Sequence, residues 1–259
     1  LKHTVQTVGP VRMPRLPDSK CWISVLGGVL LGTGLANWWW SKRCNTTKRL
    51  LSGRSEVTCK AAWLQEQAGL RPRVVLIAAG SVATVKVPEL AVLLSAVADV
   101  AVVLTRSAEV MFTKLAAGYA PEMVQRLKEC QRHGRVRVLI DEDEWIGYDS
   151  IGADMVVHVE LTKWADVTVI APCSANTLAK MSLGLCDNLA TSLLRACDPG
   201  KPIVIAPAMN TNMWEHPLTE EHLAVLQRRG HIVLPTAEKR LACGDSGYGA
   251  LCPVVDILE

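Results

Sequence analysis

Short apolar runs, each followed by a loop of small or polar residues, recur along the chain after residue 70. They cover residues 73–79, 100–104, 136–140, 167–171, 202–205 and 231–234. Runs of this length are typical of parallel strands that are buried on both faces. Segments between them predict helices: residue 81 to about residue 96, 122–133, a helix that opens after residues 187 and 188, and 216–229. The alternation predicts an α/β protein with a doubly wound parallel sheet, in which residues 73–79 form the first, central strand.

The loop after residues 202–205 carries an unusual mixture of side chains. Its sequence, Ala-Pro-Ala-Met-Asn-Thr-Asn-Met-Trp at residues 206–214, combines amides, thioethers and an indole. In open α/β sheets, ligands bind at the carboxyl ends of the strands, which is where this loop lies. A buried connection whose Met and Trp side chains belong to the core is the alternative. The loop alone leaves both interpretations open.

Small and polar residues also follow three other predicted strands. Gly80 permits a tight turn and Ser81 can cap the next helix, so this strand–turn–helix junction is a candidate anion site, with an ordinary βα turn as the alternative. The junction lacks the GxGxxG pattern, so it indicates a single phosphate rather than a dinucleotide. Similar loops follow residues 100–104 and 167–171. Their polar or small residues are Thr105, Arg106 and Ser107, and then Ser174, Ala175, Asn176 and Thr177.

Three further features bear on chemistry. His158 lies among valines, where a lone histidine is usually part of the core, but it precedes a predicted strand of the same sheet. The acidic run at residues 141–144 predicts a solvated charged segment rather than a metal site, and no metal is expected. Residues 239–250 include three glycines within six residues, which predicts a mobile loop of the kind that closes over sites. Cys243 in that loop has cationic neighbours and suits a reactive thiol, with a half-buried structural cysteine as the alternative.

Charge and cysteine content limit the classes of partner. The formal net charge of +3 divides into +7 over residues 1–70 and −4 over residues 71–259. The second part therefore has no basic stripe for nucleic acid, and no nucleic-acid partner is expected. The nine cysteines include no CxxC pair and no spacing typical of zinc ligands, which favours a reducing, cytoplasmic location.

Residues 1–70 differ in kind from residues 71–259, which predicts an N-terminal extension ahead of a single domain. Residues 21–40 carry no charge and are long enough to span a bilayer. The run ends in three tryptophans, and two cations follow, which resembles an interfacial anchor. The basic, acid-poor composition also suits an organelle-targeting segment. Three interpretations stay open: a poorly ordered extension, a targeting segment and a membrane span. A membrane association is not expected for the domain at residues 71–259.

The motifs resemble, in order and composition, those of the homo-oligomeric flavin-containing cysteine decarboxylases, and among them the phosphopantothenoylcysteine decarboxylases. The chain carries GSVA, HVELTKWAD, PCSANT, LCDN, PAMNTNMW and ACGDSGYGA, and the likeness extends from about residue 73 to residue 252. It implies a Rossmann-like (flavodoxin-like) fold, bound FMN and a homotrimer with sites between subunits. The implied reaction is decarboxylation of a phosphorylated small molecule, 4′-phosphopantothenoylcysteine, to 4′-phosphopantetheine in coenzyme A synthesis.

The resemblance also implies roles for individual residues. His158 and Cys243 match the catalytic histidine and cysteine, and Asn210 matches the asparagine that binds the substrate carboxylate. Arg240, Ala242 and Leu251 fall at positions of the substrate lid. The chain departs from the family there, since Ala-Leu-Cys-Pro stands at residues 250–253 where relatives carry Ala-Met-Ala-Glu. The implied FMN-binding residues are Gly80, Ser81, Val82, Thr105, Arg106, Ser107, Ser174, Ala175, Asn176, Thr177 and Ala208.

The implied chemistry explains these residue types. A cysteine amide has no β-keto group to accept the electrons of a departing carboxylate, and a flavin can supply the missing acceptor by oxidising the carbon that bears the thiol. Histidine suits proton transfer at the thiol, and an uncharged asparagine can orient the carboxylate without stabilising its charge as a cation would. Cys243 would return a proton when the electrons come back.

Two other functions are compatible with the fold that the resemblance implies. A non-catalytic regulatory subunit would be expected to lack His158, Asn210 or Cys243, and all three are present. An oxidative decarboxylase of C-terminal peptidyl cysteine would stop at the enethiol and would not need the lid cysteine. The intact ACGD segment argues against the second function.

Overall fold

The computed structural model describes residues 71–146, Tyr148, 155–240 and 246–259. The chain divides into two units, Leu1–Lys48 and Arg49–Glu259, and every described residue lies in the second. The expectations for residues 1–70, including the apolar run at 21–40, fall outside the described residues. Within the described part of the chain, no helix is both long and apolar enough to cross a membrane.

The core of the fold is a six-stranded parallel sheet. Its strands are β1 (Arg73–Ala78), β2 (Asp99–Leu104), β3 (Val136–Leu139), β4 (Val167–Cys173), β5 (Ile203–Pro207) and β6 (Ile232–Val233). They are arranged in the order β3-β2-β1-β4-β5-β6, which is the order of a doubly wound Rossmann-like sheet. The predicted α/β class and the central position of β1 are confirmed.

Helices cover both faces of the sheet. They are α1 (Val87–Val97), α2 (Arg106–Met111), α3 (Ala117–Tyr119), α4 (Pro121–Arg132), α5 (Val157–Trp164), α6 (Ala175–Leu183), α7 (Leu189–Ala196), α8 (Thr211–Trp214), α9 (Pro217–Arg228) and α10 (Val254–Leu258). A 3-10 helix, Val82–Lys86, leads into α1, a π-helical segment, Phe112–Ala116, joins α2 to α3, and a second 3-10 helix spans Asp141–Glu144.

The two faces of β1 show why its sequence is apolar throughout. Val74 and Leu76 point into the core under α1, whereas Val75 and Ile77 point into the opposite core, under α5 and α7. All four side chains are at most 6% exposed. A strand buried on both faces has no position for a polar side chain, so the run shows no alternation.

After β6 the chain forms a short antiparallel hairpin, in the segment where a mobile loop is predicted. Strands β7 (Ala237–Arg240) and β8 (Ser246–Ala250) pair with each other, and residues 241–245 between them lie outside the described residues. The glycines of β8 serve close packing, because a Cβ on Gly249 would stand 2.7 Å from the carbonyl oxygen of Met209. The glycines therefore allow close packing of a strand here, and the two described arms of the predicted mobile loop are strands. The predicted mobility stays a prediction.

Candidate active site

A cavity of about 740 Å³ opens at the carboxyl ends of β1, β4 and β5. It lies where the strand order reverses between β1 and β4, the switch point at which open α/β sheets bind ligands. The predicted site residues that line it are Gly80, Ser81, Val82, Thr105, Arg106, Ser107, Ser174, Ala175, Asn176, Thr177, Ala208, Asn210 and Leu251. The structure thus brings together four loops that are far apart in the sequence.

The start of a helix meets the cavity at three of these loops. Ser81 accepts a hydrogen bond from the Ala83 N–H at 3.4 Å and Ser174 accepts one from the Thr177 N–H at 3.3 Å. Thr105 caps α2 in the same way. Each cap occupies only one of the free N–H groups of its helix, so the others and the helix dipoles favour a negatively charged group in the cavity.

Gly80 allows the first two loops to touch. A Cβ at this position would stand 2.3 Å from the Cβ of Ser107, closer than real side-chain contacts. The turn after β1 can therefore lie directly against the start of α2 only when it carries glycine. The predicted role of Gly80, close backbone approach, agrees with this geometry.

Asn210 is held at the cavity by its own helix. Its Oδ1 accepts a hydrogen bond from the Met213 N–H at 2.8 Å and so caps α8. Because only the oxygen of the amide can accept from an N–H, this contact fixes which way the amide points. The NH₂ group is left as the polar end that an acceptor in the cavity, such as a carboxylate, can bind.

The stem of the hairpin packs on the Asn210 loop. The Met209 N–H donates to the Gly249 carbonyl at 2.8 Å, and the Thr211 hydroxyl donates to the Tyr248 carbonyl at 3.2 Å. Leu251, just after β8, is 4% exposed and lies between the cavity and the core. The side chain of Arg240, and Ala242 and Cys243 altogether, lie outside the described residues, so their predicted positions over the site stay predictions.

His158 lies on α5, outside the set of described residues that line the cavity. About a quarter of its side chain is exposed, and its Nδ1 is 2.6 Å from the Oε1 of Glu144. The His158 backbone N–H donates to the other carboxylate oxygen of Glu144 at 3.3 Å. The histidine is therefore not fully buried, and it is not one of the described residues that line the cavity.

Two of the four residues in the acidic run at 141–144 are buried, which contradicts the prediction of a solvated segment. Asp143 and Glu144 are 1% and 7% exposed. The carboxylate of Asp143 accepts the Ile140 N–H at 3.0 Å, and that of Asp141 accepts the Leu189 N–H at 3.2 Å. These carboxylates can be buried because they accept hydrogen bonds from backbone N–H groups, a pairing that the run of charges does not reveal.

Several cavity residues were not predicted from the sequence. Asp141 lines the cavity, and burial raises the pKa of its carboxyl. Lys180 also lines it and forms an ion pair with Asp187 at 2.6 Å. A signal for Asp141 was present, because it follows β3 at the same edge of the sheet as the other loops. Lys180 follows Asn176 by one helical turn, a spacing that places both on one face of α6.

Comparison with known proteins identifies the family. A family model described as flavoprotein matches residues 64–259. The chain belongs to the flavoprotein family. A phosphopantothenoylcysteine decarboxylase of Arabidopsis thaliana is 46% identical over 181 residues, which cover 70% of this chain and 79% of the plant protein.

Solved structures agree with that assignment. A cysteine-to-serine mutant of PPC decarboxylase in complex with pantothenoylaminoethenethiol is 45% identical, with a TM-score of 0.64 over 72% of this chain and 94% of that one. The FMN-binding protein AtHal3 is 46% identical, with a TM-score of 0.61 over 72% of this chain and 92% of that one. The flavoprotein described here is accordingly a decarboxylase, and FMN is its cofactor.

The cavity of this flavoprotein suits FMN on physical grounds. Its volume is that of a typical small-molecule site. The capped helix starts and Arg106 offer N–H donors and positive charge to a phosphate. Ala208 and Met209, 2% and 9% exposed, offer an apolar wall for a flat ring system. Anionic and aromatic parts of one ligand therefore find matching surfaces in one cavity.

Proposed function

We propose that this flavoprotein decarboxylates 4′-phosphopantothenoylcysteine to 4′-phosphopantetheine, a step of coenzyme A synthesis. The observation that best supports this proposal is the orientation of the Asn210 amide. Its oxygen caps α8, so its NH₂ group is left for an acceptor beside a cavity that suits FMN. A carboxylate bound there would lie next to the cofactor that must accept electrons from the adjoining carbons. A phosphorylated substrate also agrees with the cationic side chains around the cavity.

The residues proposed to hold FMN are those of the three capped loops. Ser81 and Ser174 start helices whose N–H groups favour a phosphate, and Ala208 would lie against the ring. When bound, FMN supplies a reversible two-electron acceptor for the carbon that bears the substrate thiol. The full set proposed for FMN is Gly80, Ser81, Val82, Thr105, Arg106, Ser107, Ser174, Ala175, Asn176, Thr177 and Ala208.

The protein's own side chains would orient the substrate and move protons. Asn210 would hold the carboxylate by a neutral hydrogen bond, which directs the group without the ion-pair stabilisation that would oppose loss of carbon dioxide. Arg240, Ala242 and Leu251 would contact the substrate from the lid. His158 would take the thiol proton, and Cys243 would give a proton to carbon at the end of the reaction.

The position of His158 supports a homotrimer with sites between subunits. In one subunit His158 lies outside the set of described residues that line the cavity, whereas the proposed chemistry needs it beside the substrate. Trp145, next to Glu144 in the chain, is 71% exposed, which is unusual for a large aromatic side chain and typical of a contact surface. A second copy docked on this surface would bring its His158 to the cavity of the first.

The activity is tested by incubating the FMN-loaded protein with 4′-phosphopantothenoylcysteine without oxygen and identifying the product by mass spectrometry. We expect carbon dioxide and phosphopantetheine, with a higher KM for the substrate that lacks the phosphate. A product two hydrogens lighter would assign the protein to the oxidative decarboxylases instead. Failure of the loaded protein to turn over would contradict the proposal.

His158→Asn tests the proposed base. We expect the variant to retain FMN and its melting temperature but to lose kcat by about 10²-fold or more, because general-base catalysis is worth about that much. Absorbance of the bound flavin and steady-state kinetics provide the two measurements. A variant that decarboxylates normally would remove His158 from the mechanism.

The shared site is tested by combining two inactive variants. Neither His158→Asn nor Asn210→Asp should support turnover alone, but mixed oligomers would contain some sites with both native side chains. Activity that returns only after the subunits are mixed by unfolding and refolding together is the expected result. Absence of any recovery, with mixing shown by mass spectrometry of the intact assembly, would contradict a site built from two subunits.

A further inference from the structure

The carboxylate of Glu144 is buried at His158 and has no part in the proposed function so far. Its side chain is 7% exposed, and both of its oxygens meet the same residue. Oε1 lies 2.6 Å from the ring Nδ1 of His158, and Oε2 accepts the His158 backbone N–H at 3.3 Å. We propose that Glu144 is a positioning residue for His158, which sets the protonation pattern of the ring for proton transfer; this rests on the proposed function of His158.

The contact determines which ring nitrogen can act as a base. An ionised carboxylate only accepts hydrogen bonds, so Nδ1 must carry the hydrogen in the 2.6 Å contact. A neutral imidazole has one N–H and one lone pair, and the lone pair is therefore on Nε2. Glu144 therefore leaves Nε2, the ring nitrogen that it does not contact, as the base.

The same carboxylate offsets the positive charge that proton transfer places on the ring. The S–H bond of the substrate breaks, its electron pair stays on sulfur as a thiolate, and its proton forms a new N–H bond at Nε2. The ring then carries two N–H groups and a positive charge, which faces the negative charge of Glu144. The carboxylate keeps its charge throughout and does not take up a proton, as in other carboxylate–histidine pairs.

Glu144 also has a structural contact, and the two roles can be separated. Val156, the residue that precedes α5, makes no side-chain cap, and Oε2 of Glu144 binds the N–H of the second helical residue, His158, in its place. A glutamine can accept only one of the two hydrogen bonds that the carboxylate accepts. If its oxygen stays on the backbone N–H, its NH₂ group faces Nδ1 and donates to it, which forces the ring hydrogen onto Nε2.

Glu144→Gln is therefore the decisive variant, with Glu142→Gln as its matched control. Glu142 is exposed in the same 3-10 turn, so its substitution removes an equal charge two residues away. We expect Glu144→Gln to lower kcat by about 10²-fold or more, with KM changed less than about threefold and bound FMN and melting temperature retained. We expect Glu142→Gln to stay within about twofold of the native protein in every measurement.

A spectroscopic measurement distinguishes a role of Glu144 in setting the His158 tautomer from a role in protein stability, and it does not depend on enzyme activity. Nitrogen-15 NMR of histidine-labelled protein, at a pH where the ring is neutral, should show Nε2 of His158 without a hydrogen in the native protein and with one in Glu144→Gln. His158→Asn identifies the signal. A melting temperature lowered in Glu144→Gln with kcat intact would show a structural role only.

Three results would overturn the proposal. They are a kcat of Glu144→Gln within threefold of the native value, an unchanged ring tautomer in that variant, and a native ring with its hydrogen on Nε2. The last needs no variant, so it decides the question even if Glu144→Gln does not fold. Failure of the proposed function is a different result, namely a native protein that does not turn over the substrate although its ring shows the expected tautomer.

Discussion

At the scale of single residues, the side chains proposed for chemistry have one atom held and another left for a ligand. Asn210 uses its oxygen as a helix cap and keeps its NH₂ group, and His158 holds Nδ1 at Glu144 and keeps Nε2. A side chain held at one end loses little further rotational freedom when it binds, so it is already oriented for its partner. Cys243 and Cys173 give two predictions at this scale.

Cys243→Ser should separate the two halves of the proposed reaction. In the proposed mechanism, loss of carbon dioxide needs FMN, His158 and Asn210, whereas the return of electrons needs a proton at carbon, which Cys243 would donate. We expect one turnover of carbon dioxide per site without oxygen, followed by accumulation of an enethiol two hydrogens lighter than phosphopantetheine and of reduced flavin. Normal product at the native rate would show that the proton comes from elsewhere.

Cys173 should not react with alkylating reagents, although it immediately precedes Ser174, which lines the cavity. Burial raises the pKa of its thiol to about 12, so the thiolate, the form that reacts, is negligible from pH 7 to pH 9. We expect iodoacetamide to leave Cys173 unmodified in the native protein in that pH range and to label it after unfolding. Cys186, which is exposed, serves as the comparison. Native labelling of both thiols at similar rates, seen by peptide mass spectrometry, would contradict the buried environment.

At the scale of elements, close packing of loops shapes the cavity. The turn after β1 touches the start of α2 at Gly80, and β8 touches the Asn210 loop at Gly247 and Gly249. The Cβ of Ser107 leaves no room for a Cβ at Gly80, and the Thr211 side chain leaves none at Gly247. At Gly249 the obstacle is the backbone carbonyl of Met209, so at each position a single methyl group is enough to separate the segments. Gly80 and Gly249 line the cavity, so the shape of its wall depends on these close contacts.

Gly80→Ala should disrupt the FMN site. The added Cβ would stand 2.3 Å from the Cβ of Ser107, and relieving that overlap must displace the start of α2. We expect FMN affinity to fall at least about tenfold and the free energy of unfolding to fall by about 1–3 kcal/mol, as for other overpacked sites. Flavin fluorescence titration and urea unfolding measure the two effects.

Gly118→Ala is the matched control for that prediction. No heavy atom lies within 4 Å of a Cβ at Gly118, and alanine favours the helix in which it lies. We expect unchanged FMN affinity and stability equal to or above that of the native protein. Equal loss of affinity in both variants would show that the close contact at Gly80 is not what matters.

At the scale of the whole molecule, the described fold begins with Arg71. Its guanidinium donates to the carbonyls of Ser95 and Ala98 at 2.7 and 3.0 Å and pairs with Asp99 at 3.5 Å. These contacts tie the beginning of β1 to the end of α1 and the start of β2. Among the described residues, the elements that form the cavity follow this point in the chain.

A shortened chain that begins at Leu70 should therefore fold, bind FMN and catalyse decarboxylation. We expect it to bind FMN in a one-to-one ratio per subunit and to decarboxylate with a kcat within about twofold of the full chain. Gel filtration, flavin absorbance and product analysis are the measurements. An aggregated or flavin-free product would show that residues 1–69 contribute to the fold.

Local patterns were sufficient for the sheet and most of the cavity. The apolar runs predicted the strands because a strand buried on both faces excludes polar side chains over its whole length, and the loops predicted the cavity because parallel strands bring their carboxyl ends to one edge. The caps at Ser81 and Asn188 were predictable since capping involves residues two or three positions apart. These signals need no knowledge of which distant segments meet.

The burial of the acidic run and the packing of the hairpin depended on contacts between segments that are distant in the sequence. Glu144 belongs to a run that the sequence predicts to be solvated, yet its carboxylate is buried and contacts the ring of His158 on α5, 14 residues later. The arms of the hairpin lie in a segment that the sequence predicts to be a mobile loop, yet they form strands, and Thr211 donates a hydrogen bond to the carbonyl of Tyr248, 37 residues later. A sequence shows that a residue is charged or lacks a side chain, but its burial and its partner depend on which surface packs on it. The sequence by itself determined the sheet and the loops at its edge, and only the tertiary structure paired a buried carboxylate with His158.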